Sequence, residues 1–209
     1  MLKRFMVSFI AAALAATFAA RADVNTPSVD STVVYVDPVG GSDSNSGLSS
    51  SAPKKNLLGA NGAWNLITSG DPDHLYFKTG TTCTEIFPTL NKSGRSATEP
   101  LVIGAYGSLS AGRPVLSGFD PDNTNTVMFI GSTGTIQHVW IRDIAFMPSD
   151  AGGYGVAMYA ANVNDLNFEG CEFANRAVLF TSSLRVTAPF STYDNWNFYR
   201  NIFRNASAG

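Results

Sequence analysis

Apolar and polar positions alternate over short stretches of this chain and rarely hold a helical period. Thr32 to Asp37 (T-V-V-Y-V-D) is β-branched and aromatic, the composition of a strand. Leu75-Tyr76-Phe77, Leu101-Val102-Ile103, Val115-Leu116 and Val127-Met128-Phe129-Ile130 follow, each bounded by Gly, Asp, Asn, Ser or Pro. Each predicts a brief strand. Between Lys54 and Ile67 the apolar residues Leu57, Leu58, Trp64, Leu66 and Ile67 are interrupted by Gly59 and Gly62. That pattern licenses at most a short helix around Asn61 to Thr68. No long helix is predicted after Ser69.

The second half carries an internal repeat. Val139-Trp140-Ile141-Arg142-Asp143-Ile144-Ala145-Phe146 aligns with Leu166-Asn167-Phe168-Glu169-Gly170-Cys171-Glu172-Phe173. Both align with Trp196-Asn197-Phe198-Tyr199-Arg200-Asn201-Ile202-Phe203. The closing phenylalanines are 27 and then 30 residues apart, and positions one, three and eight are apolar or aromatic in every copy. A further short strand precedes each copy, at Val127 to Ile130, Gly155 to Tyr159 and Ala177 to Phe180. A period in the twenties without a helix per repeat predicts a β-solenoid whose parallel strands stack about 4.8 Å apart. Positions one and three then face inward as ladders, and positions two and four face outward. A β-sandwich with chance similarity between the copies is the competing architecture.

The first residues belong to export rather than to the fold. Lys3 and Arg4 precede an apolar run from Phe5 to Ala16, and Ala20-Arg21-Ala22 has a small-x-small cleavage pattern. Residues 1–22 therefore read as a signal peptide cut near Ala22, with a secreted or periplasmic product. No other stretch is long and apolar enough to predict a membrane span. Residues 23–68 read as a leader and N-terminal cap, and 69–209 as coils. At roughly 27 residues per coil the latter make about five, and an incomplete C-terminus is expected.

The chain has 209 residues, 14 Lys and Arg against 16 Asp and Glu, and only 14% charged residues. Low net charge and abundant apolar side chains exclude a disordered chain, and the weakly acidic balance argues against a nucleic-acid partner. Cys83 and Cys171 lie far apart in sequence. Export would permit a bridge, and two separate buried thiols are the alternative favoured by how often free Cys is buried.

The stretch V-V-Y-V-D-P-V-G-G-S-D-S-N-S-G-L, from Val33 to Leu48, resembles the opening strand and cap loop of right-handed parallel β-helix proteins of the pectate-lyase-like superfamily. Gly70 to Gly80 (G-D-P-D-H-L-Y-F-K-T-G) resembles their first coil. Ser93-Gly94, Glu99 to Gly107 (E-P-L-V-I-G-A-Y-G) and Arg113 to Gly118 (R-P-V-L-S-G) are similar too. The resemblance covers Val33 to Phe203. It implies an all-β right-handed parallel β-helix with a short N-terminal cap helix. It also implies a polysaccharide partner and an activity related to the lyases of uronate-containing glycans, with Ca2+ as a cofactor such enzymes use. A non-catalytic glycan-binding or adhesion module is the alternative, and a piece lacking its catalytic coils is a third.

Such lyases remove a proton α to a carboxylate, using a basic side chain while cations neutralise the acid. Outward-facing residues would carry this chemistry, because the interior is packed. Arg142, Glu169 and Tyr199 share outward position four and read either as a sugar-contacting strip or as a cross-strand ion pair beside a Tyr. Arg142, Glu169 and Arg200 are the catalytic candidates. Trp140, Asn167 and Asn197 share outward position two, and with Tyr199 are the candidate sugar contacts, an apolar ring beside hydrogen-bonding edges. Asp143, Gly170 and Arg200 occupy a bend. Lys54, Lys55, Lys78 and Lys92 lie in the cap or early coils and are poor bases by position. Asp43-Ser44-Asn45-Ser46-Gly47 resembles half a calcium loop, but no Glu follows at the expected distance, and Asx-turn chemistry explains it better. Asp71-Pro72-Asp73 and Asp120-Pro121-Asp122 are likewise read as turns. His74 and His138 stand without a partnered acid in the sequence and are read as structural; no metal-ligand spacing is present.

Overall fold

A computed structural model describes residues 26–118, 126–131, 135–149, 154–159, 162–174 and 193–204. The expected signal peptide, Asp120-Pro121-Asp122, the strand expected at Ala177 to Phe180 and the last five residues lie outside the described residues.

The protein is all-β, and the described residues form thirteen strands in three parallel sheets and two short 3-10 turns. The strands of the first sheet are β1 (Val33–Val36), β2 (His74–Lys78), β4 (Leu101–Tyr106), β7 (Thr135–Arg142), β10 (Asn162–Glu169) and β12 (Tyr193–Tyr199). They lie side by side in that order. The second sheet contains β3 (Thr82–Cys83), β5 (Val115–Leu116), β8 (Ala145–Phe146), β11 (Glu172–Ala174) and β13 (Ile202–Arg204). The third pairs β6 (Thr126–Gly131) with β9 (Tyr154–Tyr159). From β6 to β11 the chain visits the third, first and second sheets in rotation, twice. In that stretch, strands that follow one another in a sheet are separated by visits to the other two, and the chain returns to pair with its predecessor in parallel.

The register matches the sequence repeat residue for residue. Leu166 pairs with Val139 on one side and Trp196 on the other, and Phe168 with Ile141 and Phe198. Phe173 pairs with Phe146 and Phe203. The rings of Phe146, Phe173 and Phe203 form one column, with successive centroids 5.2 Å apart and planes within 12°. Phe168 and Phe198 stack likewise at 5.2 Å. Alternate residues of β1, β2, β4, β7 and β10 enter a single core containing Val34, Leu75, Ile103, Ile141 and Phe168. No strand of four to eight residues could bury such a face alone; the column supplies the missing half of each side chain's contacts.

The cap is tighter than the expected helix. Only Ala63–Leu66 is helical, as one 3-10 turn, and its N-cap Gly62 has no side chain to satisfy the first amides. Gly62 is required there for a different reason: a Cβ would come within 2.3 Å of the Leu57 carbonyl oxygen. Lys92 closes the other end, donating to the carbonyls of Trp64 (2.8 Å) and Ile67 (2.5 Å) with its ammonium over the Trp64 ring. Asp73 ties this cap to the sheet by accepting from the amides of Thr32 and Thr68 at 2.8 and 2.7 Å.

Cys83 and Cys171 are both free and buried, so the two-thiol alternative holds. Burial pushes the thiols up to about 11 and about 12, leaving them protonated and unreactive at neutral pH.

Candidate functional site on the outward face

Because side chains alternate across a strand, the residues that skip the core form rows on the other face of the first sheet. One row runs His74, Val102, Trp140, Asn167, Asn197. A second contains Tyr35 and Tyr76, then Arg142, Glu169 and Tyr199. Gly104 lies between Tyr76 and Arg142: a Cβ there would sit 3.0 Å from Arg142 Cγ and 3.3 Å from Tyr76 Cε1. The missing side chain lets the Arg142 stem lie across the strand. A third row begins with Lys78 and Tyr106.

The two rows predicted from the repeat are both present, with contents unlike those expected. Trp140 and Asn167 face away from the core, yet they are 5% and 3% exposed. Trp140 clusters with Val102 against Tyr76, so neighbouring rows on its own face cover its ring. Asn167 donates to Asp165 Oδ1 at 3.0 Å and accepts from Asn197 Nδ2 at 2.9 Å. These amides form a ladder, with only its Asn197 rung exposed. Arg142 and Glu169 are neighbours in register, but Glu169 pairs with Arg200, and Arg142 Nε lies 3.4 Å from Asp143 Oδ2. Arg200 packs over the ring of Tyr199, and both are exposed.

Asp143, Gly170 and Arg200 share one left-handed bend, at φ 56°, 62° and 54°. Turn geometry therefore accounts for the position of Arg200 as well as for Asp143 and Gly170. The lysines are engaged elsewhere: Lys54 Nζ donates to the Asp43 carbonyl at 3.0 Å, and Lys78 binds Asp37 at 2.6 Å. Asp43 accepts from the amides of Lys55 and Asn56 and from the Asn56 side chain, a turn rather than half a cation cage. Among the described residues no group of three or more His, Cys, Asp or Glu could hold a metal ion. Among them, too, no helix is long and apolar enough to cross a membrane.

The two histidines part company: His74 fits its structural reading, and His138 departs from it. His138 has a partnered acid: its Nδ1 lies 2.9 Å from Asp165 Oδ2, one coil further on. The step from 138 to 165 is 27 residues, the same step that carries Phe146 onto Phe173, so the repeat already contained this pair. His74 is buried and its Nδ1 lies 2.6 Å from the Tyr76 hydroxyl. Burial, helped by the positive charge of Arg142, lowers His74 from 6.5 to about 4. At neutral pH it is an uncharged hydrogen-bond partner that fixes the Tyr76 phenol.

The aromatic part of the face also lies outside the predicted strips. Tyr35 packs against Tyr76 at 6.1 Å and edge-on against Tyr106 at 5.1 Å, with all three rings partly exposed. These residues precede the regular repeats, in coils whose connecting loops differ in length, so no alignment set them side by side.

No family model matches the chain, and no curated protein matches it. Among solved structures it is similar to the GH136 lacto-N-biosidase from Eubacterium ramulus, in its native crystal structure (17% identity, TM-score 0.49) and its selenomethionine derivative (16%, 0.48). Each match covers 83% of this chain and 31% of the other, so the chain spans about a third of the length of the structures it matches.

Proposed function

We propose that this chain is an exported, right-handed parallel β-helix protein that engages polysaccharide along the outward face of its first sheet. The reaction we assign to it is β-elimination of uronate-containing glycans. The observation that carries this reading is the continuous outward surface, where tyrosines at one end run into Arg142, Glu169, Arg200 and Tyr199 at the other. Partly exposed aromatic rings offer apolar faces to sugar rings, and adjoining charged and amide groups supply orienting hydrogen bonds. Rotation of the chain through three parallel sheets supports the helix, and the strong right-handed preference of parallel crossovers supports its hand. The pectate-lyase-like resemblance of Val33 to Phe203 supports the substrate class.

The test incubates the protein, after removal of residues 1–22, with polygalacturonate, alginate, chondroitin and a neutral glucan, in the presence of calcium. Co-sedimentation reads binding, and the ultraviolet absorbance of unsaturated uronate reads elimination. Binding to an acidic glycan with rising absorbance is the expected result. Binding with no new absorbance, and no new reducing ends, leaves the non-catalytic adhesion module. Absence of binding to all four removes the glycan reading.

A further inference from the structure

The outward face contains one side-chain constellation that neither the repeat nor the packing of the coils requires. His138 and Asp165 occupy the same place in consecutive coils, skipped by the pairing that joins Gln137 to Asn164 and Val139 to Leu166. Both backbones are left-handed there, at φ 56° and 54°. Side chains other than glycine adopt that conformation at a cost, and such residues gather where function compensates for it. The preceding coil makes its own contact at this place with Gly94, whose amide donates to the Gln137 carbonyl and whose Cβ, if present, would lie 2.5 Å from the His138 oxygen. Close approach of the backbone explains Gly94, which is not left-handed itself. His138 and Asp165 stand where glycine would serve the backbone better.

Their side chains are joined and oriented. A carboxylate only accepts hydrogen bonds, so the 2.9 Å contact puts a proton on Nδ1, and in the neutral imidazole the lone pair is on Nε2. The other carboxylate oxygen is held by Asn167, itself held by Asn197, so a chain of three residues from two neighbouring strands fixes the imidazole. The His138 and Asp165 side chains remain 21% and 17% exposed, within reach of solvent and substrate.

We propose that His138 is the proton-transferring residue of this face and that Asp165 is its positioning residue. The proposal rests on the glycan reading above and deepens it. His138 Nε2 takes the proton from C5 of a bound uronate. The electron pair forms the C4–C5 double bond as the C4–O4 bond breaks, and the imidazolium returns that proton to the departing O4. One group serves as base and then acid, so proton and electrons balance with no further reactant. Hydrolysis would instead require two carboxylates facing each other across the bond, whereas Asp165 is committed to His138 and Asn167.

The test uses the full chain without residues 1–22, with glycan binding and product release measured separately. His138→Asn and Asp165→Asn suit the experiment because Asn tolerates left-handed backbone. His138→Asn is expected to lower product release by about 100-fold or more while binding stays within about twofold. Asp165→Asn is expected to lower it by at least about 10-fold. His138→Gly, whose backbone fits the site without strain, is expected to regain part of its rate when imidazole is added to the solution, a rescue that a structural role would not produce. Glycan bound by the wild type without product, a His138→Asn variant at wild-type rate, or a His138→Gly variant blind to imidazole each overturns the assignment and spares the glycan reading. Absence of glycan binding by the wild type removes both.

Discussion

The two faces of the six-stranded sheet are built from the same strands and obey different rules. On the inward face one place in the coil takes one kind of residue, Ile141, Phe168 and Phe198, and the second sheet follows the same rule with Phe146, Phe173 and Phe203. On the outward face one place takes Trp140, Asn167 and Asn197, and another Arg142, Glu169 and Tyr199. Inward, each side chain meets its own counterpart one coil away, ring over ring. Outward, polar contacts replace stacked rings, some in register, as from Asn197 to Asn167, and others diagonal or local, as from Glu169 to Arg200 and from His74 to Tyr76. Stacking constrains what lies between the sheets because a mismatch there opens a cavity in two coils at once. The other face carries no such constraint. Chemistry can vary from coil to coil there without disturbing the stack.

The largest effect should come from breaking the inward column at its centre. Phe173 is fully buried between Phe146 and Phe203, whereas Phe203 is 51% exposed. Phe173→Ala is expected to cost about 3–5 kcal/mol of stability. Phe203→Ala should cost clearly less, although it removes the same ring from the same column. Urea denaturation compares the two midpoints, provided both variants keep the wild-type slope. Equal losses would mean that the column does not derive its strength from being covered on both sides.

An intermediate effect separates the faces by pH. His74 titrates near 6.5 in an unfolded chain and near 4 in the folded one, because burial and Arg142 disfavour its charge. Between those values the unfolded state binds the extra proton, so stability is complete above about pH 6.5 and declines as pH falls. By pH 4 the loss reaches at most roughly 3 kcal/mol. Asp43, held below 3.8 by the amide of Asn56, acts lower in pH and leaves this window to be tested through His74. Urea midpoints across the window should fall for the wild type and flatten for His74→Gln. An unchanged slope in that variant would show that His74 is not what couples the outward face to protons.

The contrast between the faces also explains what could be read in advance. The phenylalanine column was legible because the inward rule repeats the same residue type, at steps of 27 and then 30 residues. His138 and Asp165 lie on the first of those steps, but they differ in kind, so comparing copies for likeness passed over them. Burial of Trp140 was not legible, because Val102 and Tyr76, which pack with it, come from earlier coils outside the clear repeats. Arg200 was identified as a bend residue with no local reason to be Arg. Its partner Glu169 is one coil back, across a contact visible only in three dimensions.

The smallest expected effect is on that last pair. Arg200 is exposed, and its contacts with Glu169 and the Tyr199 ring lie where water competes for the same groups. Exposed ion pairs gain little over their hydrated alternatives and lose side-chain entropy when they form. Arg200→Gln is therefore expected to leave the urea midpoint unmoved within scatter, at low salt as well as at high. The left-handed bend does not depend on the guanidinium, since Asp143 and Gly170 make the same bend without one. A substantial loss of stability in this variant, disappearing when salt is raised, would mean that charge on the outward face helps hold the coils together. The division of labour between the faces would then fail where it is easiest to measure.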